Sequence, residues 1–445
     1  VTRLYLHNLG CSKNQIEGEL ISGWGVQRGL KLTRRPELAD VIVVNTCAFI
    51  QEAQEEAIDA ILDAARMKTE GQCRKLYVCG CFPQRFKDEL PAELPEVDAF
   101  FGVGQWQEIL DRIAPNRQQP DIGNPFLQRK IGTPRHYAYL RIADGCNRGC
   151  SYCVIPSLRG PYRSRPPEEI MEEAENLARQ GVRELLPVAQ EINSYGHDIG
   201  LGRGNQPLME LLENLCAIED LAWVRPLYLH PPACDEGLFS FWASQDKLCR
   251  YLDLPIEHVS GRILKAMGRG GSRRQLERLI ESARTRLPDV ILRTSIMVGF
   301  PGETEEDFEE LLDFVRQTRF HRLGSFEFSC QEGTPAASLT DQISPEVRAG
   351  RRERLMDIQM DISYEHNLAR VGGLEEVFVD EYEKASGYSI AHGPKELPEL
   401  DGDVLIPGKY PVGSVLKVRI ESAMEYDLVA AIVRTEEDRH SCLSS

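Results

Sequence analysis

Three times within the first 81 residues, a short apolar run ends beside a cysteine and gives way to a helical or loop segment. The runs are Leu4–Leu6 before Cys11, Val41–Val44 before Cys47 and Leu76–Val78 before Cys81. A helix is expected near Asn14–Arg28, and Ala53, Ala57, Ile58, Ile61, Leu62 and Ala65 recur at the spacing of an amphipathic helix. Strands alternating with helices predict a parallel α/β sheet, in which ligands bind at the carboxyl ends of the strands. All three cysteines stand at such ends. Taken singly, each reads as a small buried hydrophobe. The repeated placement instead points to one three-cysteine site. Cys73 and Cys79 compete with Cys81, which is preferred because Gly80 lets backbone approach a ligand closely.

The 445 residues imply two to four domains. Residues 115–134, with four prolines and two glycines, read as a linker, so the first domain is placed at 1–120. Strand candidates Tyr137–Ala143, Glu184–Ala189, Val224–Leu229, Tyr251–Leu254, Val290–Val298 and Ser325–Phe328 alternate with helical segments over 133–365. Six βα units predict an open or partial β/α barrel with its chemistry at the carboxyl-terminal rim. A helix is expected from Ser344, with Pro345 at its first position, to Gly372–Gly373. Over 370–436 the pattern changes to short strands, Val377–Tyr382, Ser389–Ala391, Asp403–Ile406 and Val415–Ile420, which predict a small all-β barrel.

The strongest local signal is CNRGCSYC at 146–153, three thiols in eight residues on the loop after the first barrel strand. Cys146, Cys150 and Cys153 can ligate three irons of a cubane and leave the fourth open for an exchangeable ligand. Structural zinc is the competing reading, but no second pair of Cys or His follows. Thirteen cysteines in a chain with no sign of secretion favour metal ligation over disulfides. Residues 1–10 lack the features of a signal peptide, and no apolar run is long enough for a bilayer, so a cytoplasmic location is expected. The net charge of −17 speaks against general attraction to nucleic acid and fits a basic protein partner better.

The C-x₃-C-x-aromatic-C form, with Tyr152 before the last cysteine, resembles the signature of the radical S-adenosylmethionine (SAM) superfamily. The resemblance implies that SAM chelates the open iron and that reduction releases a 5′-deoxyadenosyl radical. The segments LGCSKN (9–14), NTCAFI (45–50), Gly80–Cys81, GCNRGCSYCVIPSLRG (145–160) and VGFPGET (298–304) are similar to those of the methylthiotransferases. That similarity spans nearly the whole chain, in the order amino-terminal cluster domain, radical SAM domain and TRAM domain. It implies a second 4Fe-4S cluster on Cys11, Cys47 and Cys81, SAM as methyl donor and radical source, and an electron donor such as a flavodoxin-like protein.

Members of the family modify a ribosomal-protein aspartate or an adenosine in transfer RNA. The opening motif, the QEINSYG stretch at 190–196 and an acidic third domain resemble the ribosomal-protein branch, whose target is the β-carbon of an aspartate in the twelfth small-subunit protein. From Glu375 to Asp427 there are twelve acidic and five basic residues, which suits a basic protein better than RNA. Ser12 stands where that branch more often has Pro, and Glu191 where it has Asp. Transfer RNA as substrate, and a non-catalytic zinc or iron-sulfur protein, are the alternatives.

For SAM, Gln190 and Glu191 at the end of the second barrel strand are expected to meet the amino group, with Tyr152, Arg293 and Gly299 as further contacts. Arg293 reads equally as a structural ion pair, and His258 as a site residue or an ordinary hydrogen-bonded histidine. Thr304 with Asp307 matches a capping box. The run Gly268–Gly271 lacks the Lys-Ser/Thr of a phosphate loop. Cys216, Cys234, Cys249, Cys330 and Cys442 have no motif.

Overall fold

The computed structural model describes residues 1–115 and 123–433. Part of the expected linker (116–122), the end of the expected third domain (434–436) and Cys442 lie outside the described residues.

The amino-terminal sheet is all parallel. Its strands are β1 (Arg3–Asn8), β2 (Lys31–Leu32), β3 (Val41–Thr46), β4 (Lys75–Gly80) and β5 (Ala99–Phe101), in the order β2-β1-β3-β4-β5. The continuous apolar runs of β3 and β4 form the doubly covered centre, as parallel strands require. The edge strands β2 and β5 are two and three residues long, too short for periodicity to reveal. Helices Ser12–Gln27 and Gln51–Glu70 supply crossovers close to their expected places.

The expected linker is not a free tether. Residues 125–128 form a 3-10 turn on helix Ser12–Gln27, where the Trp24 ring nitrogen donates to the Pro125 carbonyl at 2.9 Å. The contact depends on Gly23, since a Cβ there would lie 1.7 Å from the Gln128 carbonyl oxygen.

The central domain has β6 (Tyr137–Arg141), a two-residue-per-strand hairpin of β7 (Ala143–Asp144) and β8 (Arg163–Ser164), then β9 (Glu184–Val188), β10 (Trp223–Val224), β11 (Tyr251–Asp253), β12 (Ile291–Val298) and β13 (Arg322–Glu327). Leaving out the hairpin, the strands form two three-stranded parallel sheets, β10-β9-β6 and β11-β12-β13, joined by a parallel bridge at Val224–Leu248. These are the six βα units the sequence predicts. The third strand ends early because Pro226 has no N–H for the ladder and Tyr228 takes a positive φ of 65°.

Helix Pro345–Leu368, capped by Ser344, leads into a closed barrel of β14 (Leu374–Glu383), β15 (Tyr388–His392), β16 (Val404–Pro407), β17 (Val415–Ala423) and β18 (Leu428–Ile432). Strand β18 is an addition to the four expected. No helix among the described residues is long and apolar enough to cross a membrane.

The segment between β15 and β16 is inserted into the central domain. Leu397 joins an apolar cluster with Tyr139, Leu186, Val188 and Leu227, which continues to Ile16, Leu20 and Trp24 of the first domain. Around it, Glu396 meets Arg322 and Arg370, Glu399 accepts from Tyr137 at 2.8 Å, and Asp401 accepts from Tyr251 at 2.6 Å. Part of the acidity expected to face a partner is therefore committed to contacts within the chain. Its carboxylates answer arginines and tyrosines lining the central domain.

His392 belongs to the same junction, with Nε2 2.7 Å from Glu184 and Nδ1 2.8 Å from Asp380. Burial opposes its charge, but a carboxylate on each ring nitrogen outweighs burial and holds the imidazolium up to about 9. A histidine raised above its unfolded value of about 6.5 stabilises the fold fully below that pH, and the contribution is lost as pH rises through about 9. Thermal melting should fall across this window. His392→Gln should lower Tm at neutral pH and flatten the dependence; an equally steep fall in the variant would contradict the clamp.

Candidate active site

Two glycines bring the three strand ends of the first domain together. Gly10 (φ +88°) lies so close to Cys47 that a Cβ would be 2.8 Å from the cysteine Cβ, and at Gly80 (φ +96°) a Cβ would meet Asn45 Oδ1 at 2.6 Å. Asn45 Nδ2 donates to Asn8 Oδ1 (2.7 Å) and to the Asn14 carbonyl (2.8 Å), while Asn14 Nδ2 donates to the Thr46 carbonyl (2.9 Å). Cys11, Cys47 and Cys81 then face one cavity. Cys73 and Cys79 do not: both are buried in the sheet's packing.

The second triad sits on a loop whose base is the β7–β8 hairpin. Cys146 N–H donates to the Gly160 carbonyl at 3.1 Å, and Ser151 N–H to the Met267 carbonyl at 2.8 Å. The loop is also pressed against Gly268, where a Cβ would lie 2.5 Å from the Gly149 carbonyl oxygen. The glycine run that sequence reasoning set aside is thus a clamp on the cysteine loop. All six cysteines line one cavity of about 370 Å³.

Burial pushes the thiols of Cys81 and Cys153 up to about 12, with Arg159 opposing the effect at Cys81. Metal centres bind thiolate, so ligation here displaces protons. Spacing discriminates between centres. Among the described residues, only His136, Asp380 and His392 bring three ligand atoms within 4.8 Å of one another. Sulfurs around one tetrahedral zinc lie about 3.8 Å apart, so neither cysteine triad is drawn in around a single ion. The histidine pair, for its part, already hydrogen-bonds the Asp380 carboxylate through both rings.

The cavity wall carries acceptors without partners: Gln190 Oε1, Glu191 Oε1 and Glu257 Oε2 are buried and unpaired within the protein. Such atoms are costly unless a ligand donates to them, which fits the amino group of SAM. Glu191 is held by Arg148 at 3.2 Å, and Gln190 Nε2 donates to Asp144 at 2.9 Å. Burial raises the Glu257 carboxyl, with Arg269 opposing the rise.

Of the expected SAM contacts, Tyr152, Gln190, Glu191 and Arg293 line the cavity and Gly299 does not. The Gly299 N–H donates to Glu303 Oε2 at 2.6 Å, and a Cβ there would strike the Arg348 side chain at 2.2 Å. Arg293 is braced by Asp253 at 2.8 Å and reached by Asp401 at 3.7 Å. His258 is outside the cavity, its Nδ1 accepting from Ser260 N–H at 3.0 Å, and burial lowers it to about 4. Thr304 and Asp307 form the capping box. Sequence reasoning missed Glu257, Arg269, Lys13 and Arg159 as cavity residues. Arg159 is the last residue but one of the quoted motif, and that position was its only signal.

Comparison with known proteins places these features. Residues 3–102 match the Uncharacterized protein family UPF0004, 140–315 the Radical SAM superfamily and 371–433 the TRAM domain. The chain is 43% identical over 438 residues to a protein of Trichlorobacter lovleyi named "Ribosomal protein uS12 methylthiotransferase RimO", covering 96% of this chain and 97% of that one. The chain belongs to the RimO family of radical SAM methylthiotransferases. A relative of the same name from Geobacter sulfurreducens is 42% identical, with 96% of this chain and 97% of that one covered. Among solved structures, TsrM, a radical SAM methyltransferase of Kitasatospora setae with cobalamin and a [4Fe-4S] cluster bound, has a TM-score of 0.52 at 15% identity. The match covers 84% of this chain and 81% of that one, and it shows a shared fold. As a radical SAM methylthiotransferase, the enzyme uses SAM and iron-sulfur clusters.

In this methylthiotransferase Arg159, its side chain 1% exposed, pairs with the buried Glu17 at 3.2 Å and the half-buried Asp144 at 3.1 Å, both of which Arg141 also reaches. Arg159→Met should cost about 1–3 kcal/mol in denaturant unfolding, less than the full cost of stranding a buried charge because Arg141 still reaches both carboxylates. Arg159→Lys should recover part, lacking the fork that reaches both. A variant as stable as the parent would refute the assignment.

Proposed function

We propose that the enzyme adds a methylthio group to the β-carbon of an aspartate in ribosomal protein uS12, the protein named for its relatives. In this reading Cys146, Cys150 and Cys153 hold the radical-generating 4Fe-4S cluster, and Cys11, Cys47 and Cys81 hold the auxiliary one. The observation that supports it is that both triads line a single cavity with three unpaired acceptors beside the second. When bound, the clusters and SAM supply one-electron chemistry for removing hydrogen from carbon, together with the sulfur and methyl that replace it.

The protein's own task is to position and to exclude water. Gln190, Glu191 and Glu257 would hold the amino group and neighbouring donors of bound SAM, and Arg293, braced by Asp253, would serve as a cation for its carboxylate. Arg269 donates to Tyr152 Oη at 3.2 Å and fixes that ring beside the cysteine loop. Lys13 covers the Tyr228 ring at 3.5 Å and closes the wall toward the first domain. The setting is the cytoplasm, with uS12 as substrate and a one-electron carrier as second partner.

Anaerobic reconstitution should give about eight irons per chain, falling to about four in Cys150→Ala. That variant should form no 5′-deoxyadenosine. Glu257→Gln should weaken SAM binding roughly tenfold, the scale of one charge-assisted hydrogen bond, and titration calorimetry reads it directly. Incubation with SAM, reductant, sulfide and uS12 should add one methylthio group to the protein by mass spectrometry. Unmodified uS12 alongside modified transfer RNA would reverse the substrate.

A further inference from the structure

The chain carries a net charge of −17, yet residues 261–286 hold eight Lys and Arg against two Glu. Several are committed: Arg262 to Asp307, Arg273 to Glu277 and Asp313, and Arg286 to Glu236. Lys265, Arg274 and Arg278 are exposed and make no ion pair among the described residues. Of the two Glu in the segment, Glu277 answers Arg273, which leaves Glu281 as the local counterion.

This cationic face adjoins the cysteine loop. Lys265 immediately precedes Ala266, whose carbonyl accepts from Ser151 Oγ at 2.8 Å. Arg278 lines a cleft of about 440 Å³ together with Gly270, Gly271 and Arg269. Arg269 also lines the six-cysteine cavity, 3.9 Å from Cys150 Sγ. Arg274 lies one helical turn before Arg278, on the same side. Gly149, between Cys146 and Cys150, is exposed with nothing within 4 Å of a Cβ. Asp235 and Glu236 line the same cleft, Glu236 being held by Arg286, so the exposed Gly149 of the cysteine loop lies beside a segment whose unpaired side chains Lys265, Arg274 and Arg278 are basic.

We propose that Lys265, Arg274 and Arg278 form the docking surface for an acidic electron-carrier protein that reduces the centre held by Cys146, Cys150 and Cys153. The proposal rests on the function proposed above. In the step, one electron leaves the reduced carrier, which is oxidised by one electron, and enters the 4Fe-4S centre; no bond changes and no proton moves. Opposite charge steers such encounters and raises their rate at low salt. A carrier is favoured over RNA because the cleft lined by Arg278 is continued by Arg269 to within 3.9 Å of Cys150 Sγ, a path an electron can use, whereas a substrate must enter the cavity itself.

The test uses the reconstituted full-length enzyme, with reduced flavodoxin as acidic carrier and dithionite as a small reductant, and reads 5′-deoxyadenosine. Combined Lys265→Glu, Arg274→Glu and Arg278→Glu should slow the flavodoxin-driven rate roughly 10- to 100-fold at low salt and leave the dithionite rate unchanged. The parent's flavodoxin rate should fall steeply with salt, and the corresponding Gln triple should show a smaller loss. Parental flavodoxin rates in the Glu triple, with dithionite activity intact, would overturn the docking surface alone. The same rates with weakened binding to small-subunit RNA would assign the face to RNA and overturn the proposal. A parent enzyme inactive even with dithionite would overturn the radical-centre reading, and docking with it.

Discussion

Arg159 closes the short helix that follows Cys153, and its guanidinium reaches Glu17 and Asn14 of the first domain and Asp144 of the β7–β8 hairpin. It also approaches Cys81 Sγ at 3.9 Å. Asp144 in turn accepts from Gln190, a wall residue beside the other triad. One cation thus connects both cysteine sites and the SAM side of the cavity. A buried guanidinium is tolerated only with its forks filled, so the two domains meet in the arrangement that fills them. The common cavity depends on that demand being met.

The carboxyl-terminal domain is held by the same kind of constraint at the other end of the barrel. The β15–β16 segment places Leu397 among apolar side chains and surrounds it with Glu396, Glu399 and Asp401, which meet Arg322, Tyr137 and Tyr251 of the central domain. Asp401 reaches Arg293, which lines the cavity. The domain is therefore part of the barrel's structure, and its acidic composition reflects internal pairing as much as outward charge. Positive charge is concentrated elsewhere, on the helices that clamp the cysteine loop.

Local pattern made much of this legible. Continuous apolar runs, helical periodicity and the cap at Ser344 are local properties, so the main strands, the six βα units and helix Pro345–Leu368 fall close to where they are expected. Short edge strands escape because two or three residues carry no period. The packed turn at 125–128 escapes because its fixing contact, Trp24 with Pro125, spans 101 residues. Polar residues of the wall divide in the same way. Gln190 and Glu191 are expected from a strand end, but Glu257 and Arg269 escape although they sit beside His258 and inside the Gly268–Gly271 run, because only the folded chain turns them to the cavity.

The sequence by itself determined the chemistry available: three thiols in eight residues, and three more each placed after a strand. Thiol spacing within a loop and strand-end position are set by covalent connectivity and by a period of a few residues. Gly80 already favoured Cys81 over Cys73 and Cys79; only the tertiary structure decided that both triads share one cavity and that Gly299 stands outside it. Those outcomes depend on packing and charge pairing between residues tens to hundreds of positions apart, where burial and ion pairing choose among placements that chain order leaves equivalent.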